Sequence, residues 1–327
     1  MADGPILDVR HLRKTFPVAA SSGYRPGTIV AVDDVSFTLP RGGVLGLVGE
    51  SGSGKSTIGR LVLRLHEPSG GQVLFDGMDL TTLSRPAMRK IRRRMQMVFQ
   101  DPYASLNPYQ RVRDILAEAF IVQRIGDRRD RGTRIERLLN LVGLQDSFSD
   151  RYPHELSGGQ RQRVAIARAL AVEPDLIVAD EAVSALDVSN QAQVINVLMD
   201  LRSRFHLSML FISHNLAVVR NIADSVAVLY LGRVMEIAPV ATLFDQPRHP
   251  YTIALLSSVP IPDPRVPRQR KVLAGEMPSP LHPPSGCVFR TRCPIADPAC
   301  KETVPLLRAV DAGHQVACLK SSVAIRC

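Results

Sequence analysis

The sequence predicts an α/β fold, and three stretches carry that expectation. Val44-Leu45-Gly46-Leu47-Val48 is a short apolar run that leads into a glycine-rich loop, Gly49 to Thr57, and then a helical run to Leu65. Asp175 to Glu181 is a second short apolar run, with two acids at its carboxyl end. Between them, Val112, Ile115, Leu116 and Ala119, then Ile135, Leu138, Leu139 and Val142, recur at helical spacing, which marks a helical insertion over about residues 101–160.

The other elements follow in order. Ile6 to Leu12 reads as a strand with Phe16 after it, and the Ser/Gly/Pro-rich stretch 17–27 as a loop. Thr28 to Leu39 has strand character. Residues 71–75 form a strand ended by the Asp76-Gly77 turn, and a basic helix starts at Ser84 or Arg85, with Pro86 suited to its first turn. Met95 to Phe99 is an apolar strand ending at Gln100, followed by the turn-rich loop 101–108. In Leu156-Ser157-Gly158-Gly159-Gln160, Ser157 and Gln160 satisfy a capping box, which alone would explain them. Val194, Leu198, Leu201 and Phe205 share one helix face. Met209 to Ile212 is a strand that delivers Ser213 and His214, and Gly232 separates the arms of a hairpin, 225–231 and 233–237. Proline is dense from Pro260 to Pro284, so the chain divides into a domain, 1–260, and a tail, 261–327, comprising a linker and a small cysteine-containing module.

The loop Gly49-Glu50-Ser51-Gly52-Ser53-Gly54-Lys55-Ser56-Thr57 fits the G-x-x-x-x-G-K-[ST] phosphate-binding pattern in full. Successive backbone N–H groups in such a loop point into one concavity, and the following helix N-terminus adds positive partial charge. A side chain at Gly49 or Gly54 is expected to block or strain the loop. Lys55 would reach the β- and γ-phosphates, and the Ser56 hydroxyl would ligate Mg²⁺. The plain alternative is a glycine-rich turn with a chance lysine, and the flanking strand and helix argue against it.

A net charge of +10 points to anionic company: nucleotide, nucleic acid or lipid headgroups. The basic clusters 89–94 and 124–137 carry no interleaved aromatic residues, so solvated helix faces account for them. No segment approaches the apolar length of a membrane span, and the N-terminus lacks a basic-then-apolar signal pattern. The expectation is a cytosolic chain that reaches any membrane through another subunit.

Every cysteine follows residue 286: Cys287, Cys293, Cys300, Cys318 and Cys327. Such clustering marks a local site rather than a disulfide scaffold. Four thiolates can hold a tetrahedral zinc or an iron–sulfur cluster, and the missing C-x₂-C pairs lower zinc. Four buried free thiols, or disulfides formed only on oxidation, are the alternatives.

The order of phosphate loop, Gln100, Leu156 to Gln160, the strand ending Asp180-Glu181, Ser184-Ala185-Leu186-Asp187 and His214 strongly resembles the ATP-binding subunit of ATP-binding-cassette (ABC) transporters, over about residues 5–260. Singly, Gln100 reads as a strand-end polar residue, His214 as a core histidine, and Asp180 with Glu181 as a helix cap. Their joint order makes all of them functional. The resemblance implies ATP and Mg²⁺ as ligands, in an ABC-type nucleotide-binding domain. Phe16, or alternatively Tyr24, would stack on adenine. Gly49, Ser51, Gly52, Ser53, Gly54, Lys55, Ser56 and Thr57 would cradle the phosphates. Ser56, Gln100 and Asp180 would serve Mg²⁺, Glu181 would act as general base, and His214 would contact the γ-phosphate. Ser157, Gly158, Gly159 and Gln160 would meet the nucleotide held by an opposite subunit, with Asp187 at the dimer seam. Ala182 stands where the family usually has proline, so hydrolysis is expected to survive with a looser turn.

Residues 95–108 (MQMVFQDPYASLNP), 249–256, 275–280 and 283–294 resemble the oligopeptide/dipeptide importer branch, whose relatives also import nickel, glutathione and some sugars. Implied partners are two transmembrane permease subunits, a second ATP-binding subunit (paralogue or self) and, indirectly, an extracytoplasmic solute-binding protein, with no nucleic acid. The chain would sit peripherally on the cytoplasmic face of the membrane. Gln100 and the loop 101–108, including Tyr103 and Leu106, would receive a short permease helix. The tail resembles one with a [4Fe–4S] cluster, which here would sit on Cys287, Cys293, Cys300 and Cys318, with zinc second and Cys327 a non-ligand. Two rivals are a soluble ABC-type ATPase acting on nucleic acid or ribosomes, and an exporter ATPase. The absence of an interrupting coiled coil or zinc finger weighs against the first, and the importer-like tail against both.

Overall fold

The computed structural model describes residues 4–18, 27–258, 273 and 275–321; Tyr24, most of the proline-rich linker and Cys327 lie outside the described residues. Strand β1 (Leu7–Val18) runs further than expected and contains Phe16; β2 (Gly27–Leu39) and β3 (Val44–Val48) follow. Gly54 opens α1 (Lys55–Val62) with no side-chain cap, so the amides of its first turn are not taken by a capping side chain. Strands β4 (Gly70–Phe75) and β5 (Met78–Asp79) lead to α2 (Arg85–Ile91), which carries Pro86 in its first turn as expected. Next come β6 (Met95–Val98) and a single turn, α3 (Pro102–Ser105), where the sequence suggested only loop. Its N-terminus is capped by the Asp101 carboxylate, which accepts the Tyr103 N–H at 2.8 Å.

The helical insertion divides into α4 (Val112–Gln123) and α5 (Arg131–Leu141), because Arg124 ends α4 in the left-handed region at φ 53°. Helix α6 (Gly158–Leu170), β7 (Leu176–Asp180), α7 (Val188–Phe205), β8 (Ser208–Ser213), α8 (Leu216–Ile222), β9 (Ser225–Tyr230) and β10 (Arg233–Pro239) complete the α/β pattern. The remaining elements are α9 (Val240–Asp245), α10 (Pro250–Ser257), α11 (Ala299–Glu302), β11 (Arg308–Asp311) and β12 (His314–Val316).

The chain forms two compact units. The first comprises Met1–Ile6, Leu39–Val44 and Thr82–Ile212. Its strands β6, β7 and β8 pair in parallel, with Met95 opposite Leu176 and Leu176 opposite Ser208. Every residue of β7 and β8 is buried, which is why both read as unbroken apolar runs rather than as alternation. Val194, Leu198 and Leu201 are fully buried on α7, but Phe205 is 42% exposed. Phe205 therefore leaves the face assigned to it; the left-handed His206, at φ 50°, ends the helix one residue later. In the loop after Gln100, Tyr103 is exposed and lies against the Arg161 guanidinium, 3.6 Å from its ring centroid. Leu106 is only 2% exposed, so it belongs to the core and not to a docking surface.

The second unit comprises Leu7–Thr38, Leu45–Thr81 and Ser213–Cys327. One sheet has the order β2-β1-β4-β5, with Leu7 opposite Phe75. In the other, β3 pairs in parallel with β9, β10 lies antiparallel to β9, and the tail adds β12 and β11 at the β10 side. A fully buried carboxylate ties this arrangement together. Glu236 of β10 accepts the Arg248 N–H at 2.7 Å and the His249 N–H at 3.0 Å, and pairs with Nε2 of His314 on β12 at 2.7 Å.

His249 caps α10 through its side chain, with Nδ1 accepting the Tyr251 N–H at 3.1 Å. That bond needs the neutral ring, and burial pushes the His249 imidazole down from 6.5 to about 3. Between those two values the unfolded chain holds a proton that the folded chain refuses. The contribution of His249 to stability is therefore complete above pH 6.5 and falls as pH drops toward 3. His249→Asn, whose amide oxygen can accept the same N–H, is expected to flatten the fall in Tm between pH 7 and pH 5; parallel curves for the two proteins would contradict this account.

Candidate functional site

The phosphate loop lies in the second unit, between β3 and α1. A Cβ on Gly49 would come within 2.1 Å of the Leu229 carbonyl oxygen, and one on Gly54 within 2.4 Å of that of Ala31. Gly54 also sits at φ 104°. The obstacles that exclude side chains here are backbone atoms of β9 and β2, so both glycines are required before any ligand arrives. Gly54→Ala is expected to abolish ATP binding or folding, a loss that a melting curve beside a nucleotide titration would apportion; an unchanged Kd would contradict the geometry. Lys55 is 4% exposed, and its ammonium donates to the carbonyls of Gly49 and Glu50, both at 2.8 Å, and to Ser53 Oγ at 3.3 Å. The loop thus wraps around its own lysine and holds a buried positive charge at the helix N-terminus.

His214 follows β8 and is exposed. The neighbouring Asn215 caps α8 by accepting the Ala217 and Val218 amides. Phe16 is half-buried on β1, with the His66 ring edge-on at 5.8 Å and the Lys14 ammonium 4.9 Å from its centroid.

The first unit carries the second group of residues. At the carboxyl end of β7, Asp180 is buried and Glu181 sits in the left-handed region at φ 46°. The Glu181 N–H donates to the Ile212 carbonyl at 2.9 Å. Its own carbonyl accepts from the N–H of Ser184 at 3.1 Å and from Ser184 Oγ at 2.9 Å. The turn that lacks a proline at Ala182 is therefore closed by hydrogen bonds, over a buried Ala182 and Val183. Gln100 Nε2 donates to Glu181 Oε2 at 3.0 Å, so two residues 81 apart in sequence meet.

The capping box is present: Ser157 Oγ accepts the Gln160 N–H at 3.3 Å, and Gln160 Oε1 accepts the Ser157 N–H at 2.9 Å. Gly159 lets this helix end approach α7, since a Cβ there would lie 2.7 Å from Asn190 Oδ1. Asn190 in turn holds the Asp187 carboxylate, donating its N–H at 2.9 Å and its side-chain amide at 2.6 Å, which keeps the Asp187 carboxyl below its ordinary value. Signature glycine and Asp187 are thus linked through one asparagine, a link that pattern reading missed because Asn190 carries no motif of its own.

In the tail, Cys287, Cys293, Cys300 and Cys318 line one recess beside His249 and Phe289. The Cys287 N–H donates to the Cys300 carbonyl at 2.8 Å, which draws two of the four segments together. Burial raises the thiols of Cys287 and Cys318 and pushes Cys293 up to about 11. Among the described residues no group of three or more His, Cys, Asp or Glu side chains is arranged to hold a metal ion. The four thiols match a thiolate-ligated group in number and kind but are not arranged here to hold one, and binding would have to draw them together and displace their protons.

The architecture and the order of motifs define the class, an ABC-type ATPase domain. Residues 32–184 match the ABC transporter family model, and residues 235–300 match the model of the oligopeptide/dipeptide transporter C-terminal region. A Brucella ovis protein carrying the name of a peptide import ATP-binding protein is 56% identical over 99% of this chain and 100% of its own length. The oligopeptide transport ATP-binding protein AppF of Bacillus subtilis is 54% identical over 96% of each chain. A solved ATP-binding-cassette dimer in a post-hydrolysis state, with ADP and Pi bound, superposes with a TM-score of 0.64 at 28% identity, covering 72% of this chain and 98% of that one. The chain belongs to the ABC transporter ATP-binding family, in the branch that carries the oligopeptide/dipeptide transporter C-terminal region. No helix among the described residues is long and apolar enough to cross a membrane.

Proposed function

We propose that this chain is the ATP-hydrolysing subunit of a membrane importer for oligopeptides or dipeptides. One observation carries the substrate class: relatives that bear peptide-transport names are 54–56% identical along almost the whole chain, tail included. The ATPase portion runs to about residue 260, and 261–327 is the importer-specific module. The chain acts peripherally at the cytoplasmic face of the membrane, with two permease subunits and a second ATP-binding subunit. A solute-binding protein outside the membrane delivers the cargo.

The loop amides from Gly49 to Thr57 and the Lys55 ammonium bind the nucleotide phosphates, and Phe16 stacks on adenine. Ser56, Gln100 and Asp180 would serve Mg²⁺, which would neutralise charge on the phosphates. Glu181 takes a proton from the attacking water as its oxygen bonds to the γ-phosphorus and ADP leaves. His214 and, from the opposite subunit, Ser157 to Gln160 steady the charge that develops. Asp187 lines the seam.

Cys287, Cys293, Cys300 and Cys318 would be the ligands of a [4Fe–4S] cluster, with zinc second, and such a group would cross-link a module too small for a substantial core. Anaerobic purification is expected to yield a brown protein with about four irons per chain. Colourless protein with stoichiometric zinc would replace the cluster by zinc, and metal-free protein with an intact tail would remove the site.

Proteoliposomes containing the complete transporter test the main reading. ATP-driven uptake of a labelled dipeptide or tetrapeptide is the expected result. Uptake of Ni²⁺ alone would move the chain to the nickel importers. Ribosomes or nucleic acid in place of permease subunits on purification would favour a soluble ATPase.

A further inference from the structure

One residue of the phosphate loop is gripped at every polar group. The Glu50 carbonyl accepts the Lys55 ammonium at 2.8 Å and the Ser53 N–H at 3.2 Å, both from within the loop. The other two partners come from far along the chain. The Glu50 N–H donates to the Tyr251 hydroxyl at 3.0 Å. The Glu50 carboxylate receives Arg292 Nη1 at 2.9 Å and 3.2 Å on its two oxygens, across 242 residues of sequence.

Arg292 is well placed to hold rather than merely to touch. Its side chain is 7% exposed, against 28% for Glu50, so the pair is partly shielded from solvent. The guanidinium lies 5.9 Å from the centroid of the Tyr230 ring. Beneath it, the rings of Tyr230, Tyr251 and Phe289 pack with centroids 4.8–5.3 Å apart, all three fully buried. The Arg292 N–H also donates to the Phe289 carbonyl at 3.0 Å, which fixes the turn that carries both residues. Arg292 precedes Cys293, so the clamp and the cysteine recess share one short segment. An unpaired carboxylate in a loop that binds a polyanion would repel its ligand, and a buried guanidinium removes that penalty while fixing the loop backbone.

We propose that Arg292 is a positioning residue for nucleotide binding: by clamping Glu50 it makes the C-terminal module set the affinity of the phosphate loop for ATP. Coupling of this kind is reciprocal, so nucleotide in turn steadies the segment that contains Phe289, Arg292 and the cysteines. The inference rests on reading Gly49 to Thr57 as the ATP site, and wild-type binding of ATP separates the two claims.

The experiment uses the full chain and a fluorescent ATP analogue in the presence of Mg²⁺. Arg292→Gln is expected to raise Kd about 10-fold, with kcat at saturating ATP within about 3-fold of wild type, within the usual range of coupling between sites. Arg292→Lys, which keeps the charge, is expected to recover much of the loss. Adding Glu50→Gln to Arg292→Gln removes the unpaired charge and should bring Kd back toward wild type; a purely structural role for Arg292 predicts no such rescue. Hydrogen exchange at residues 287–301 should slow on ATP addition in wild type and not in Arg292→Gln. Wild-type affinity in Arg292→Gln, or a double variant as weak as the single one, would overturn the proposal while leaving the ATP site in place. A wild-type chain that fails to bind the analogue would overturn both.

Discussion

Glu181→Gln is expected to lower ATP turnover by about 10²–10⁴-fold, the usual contribution of a general base, while ATP binding persists. That range corresponds to about 3–5 kcal/mol on the barrier. The substitution is near-isosteric, and the local geometry can accept it. Glu181 is held in its left-handed conformation by backbone bonds, from its N–H to Ile212 and from Ser184 to its carbonyl, and none of these uses the carboxylate. The Gln100 amide reaches Glu181 Oε2 at 3.0 Å, and a glutamine oxygen can still accept that bond. What the variant loses is the ability to take a proton from water. Phosphate release by the assembled transporter reads the rate, and size-exclusion chromatography with ATP reads accumulation of a nucleotide-bound dimer. Turnover at the wild-type rate would discard Glu181 as the base. Lys55→Ala is the contrasting variant: it removes the buried ammonium and leaves the Gly49 and Glu50 carbonyls without it, so binding is lost along with turnover.

Glu236→Ala is expected to destabilise the folded protein by several kcal/mol, at about 1–3 kcal/mol for each buried group left without its hydrogen-bond acceptor. Glu236 has no exposed surface, and its carboxylate serves two backbone amides at the start of α10 and a buried histidine on β12. Alanine leaves all three without that acceptor in a place water does not reach. Urea unfolding should show a lower midpoint, and the amides of β12 should exchange faster, since β12 pairs with β10 beside Glu236. Glu236→Gln retains an acceptor and should lose less. A midpoint unchanged in the alanine variant would refute the role assigned to the network.

The two variants probe sites that differ in how they could be known. The phosphate loop, the capping box at Ser157 and the acids that end β7 are contiguous in the chain. Their chemistry depends on backbone conformation within a few residues, which residue types dictate directly: glycine where a Cβ has no room, serine at a helix start, an apolar run where both faces of a strand are covered. The order of these pieces sufficed to place the chain in its family. Length was less legible: β1 continues through Phe16, where the sequence suggested that the strand had ended, and a helical turn occupies the loop after Gln100. Two side chains were also misplaced: Phe205, given to a helix face by its spacing, is half in solvent, and Leu106, given to a docking loop, lies in the core, because neither reading reports what comes to cover a side chain.

By itself, then, the sequence determined the kind of nucleotide loop, the elements flanking it and the clustering of all five cysteines in the tail. Only the tertiary structure decided that Arg292 would reach Glu50, that Glu236 would meet His314, and that the tail hairpin would extend the strand β10. Each of these joins residues tens to hundreds of positions apart, the widest by 242. No local preference encodes such a pair; it forms because closing a long loop costs little more than closing a short one, and a charged or polar group removed from water must find a partner wherever the packed chain supplies it.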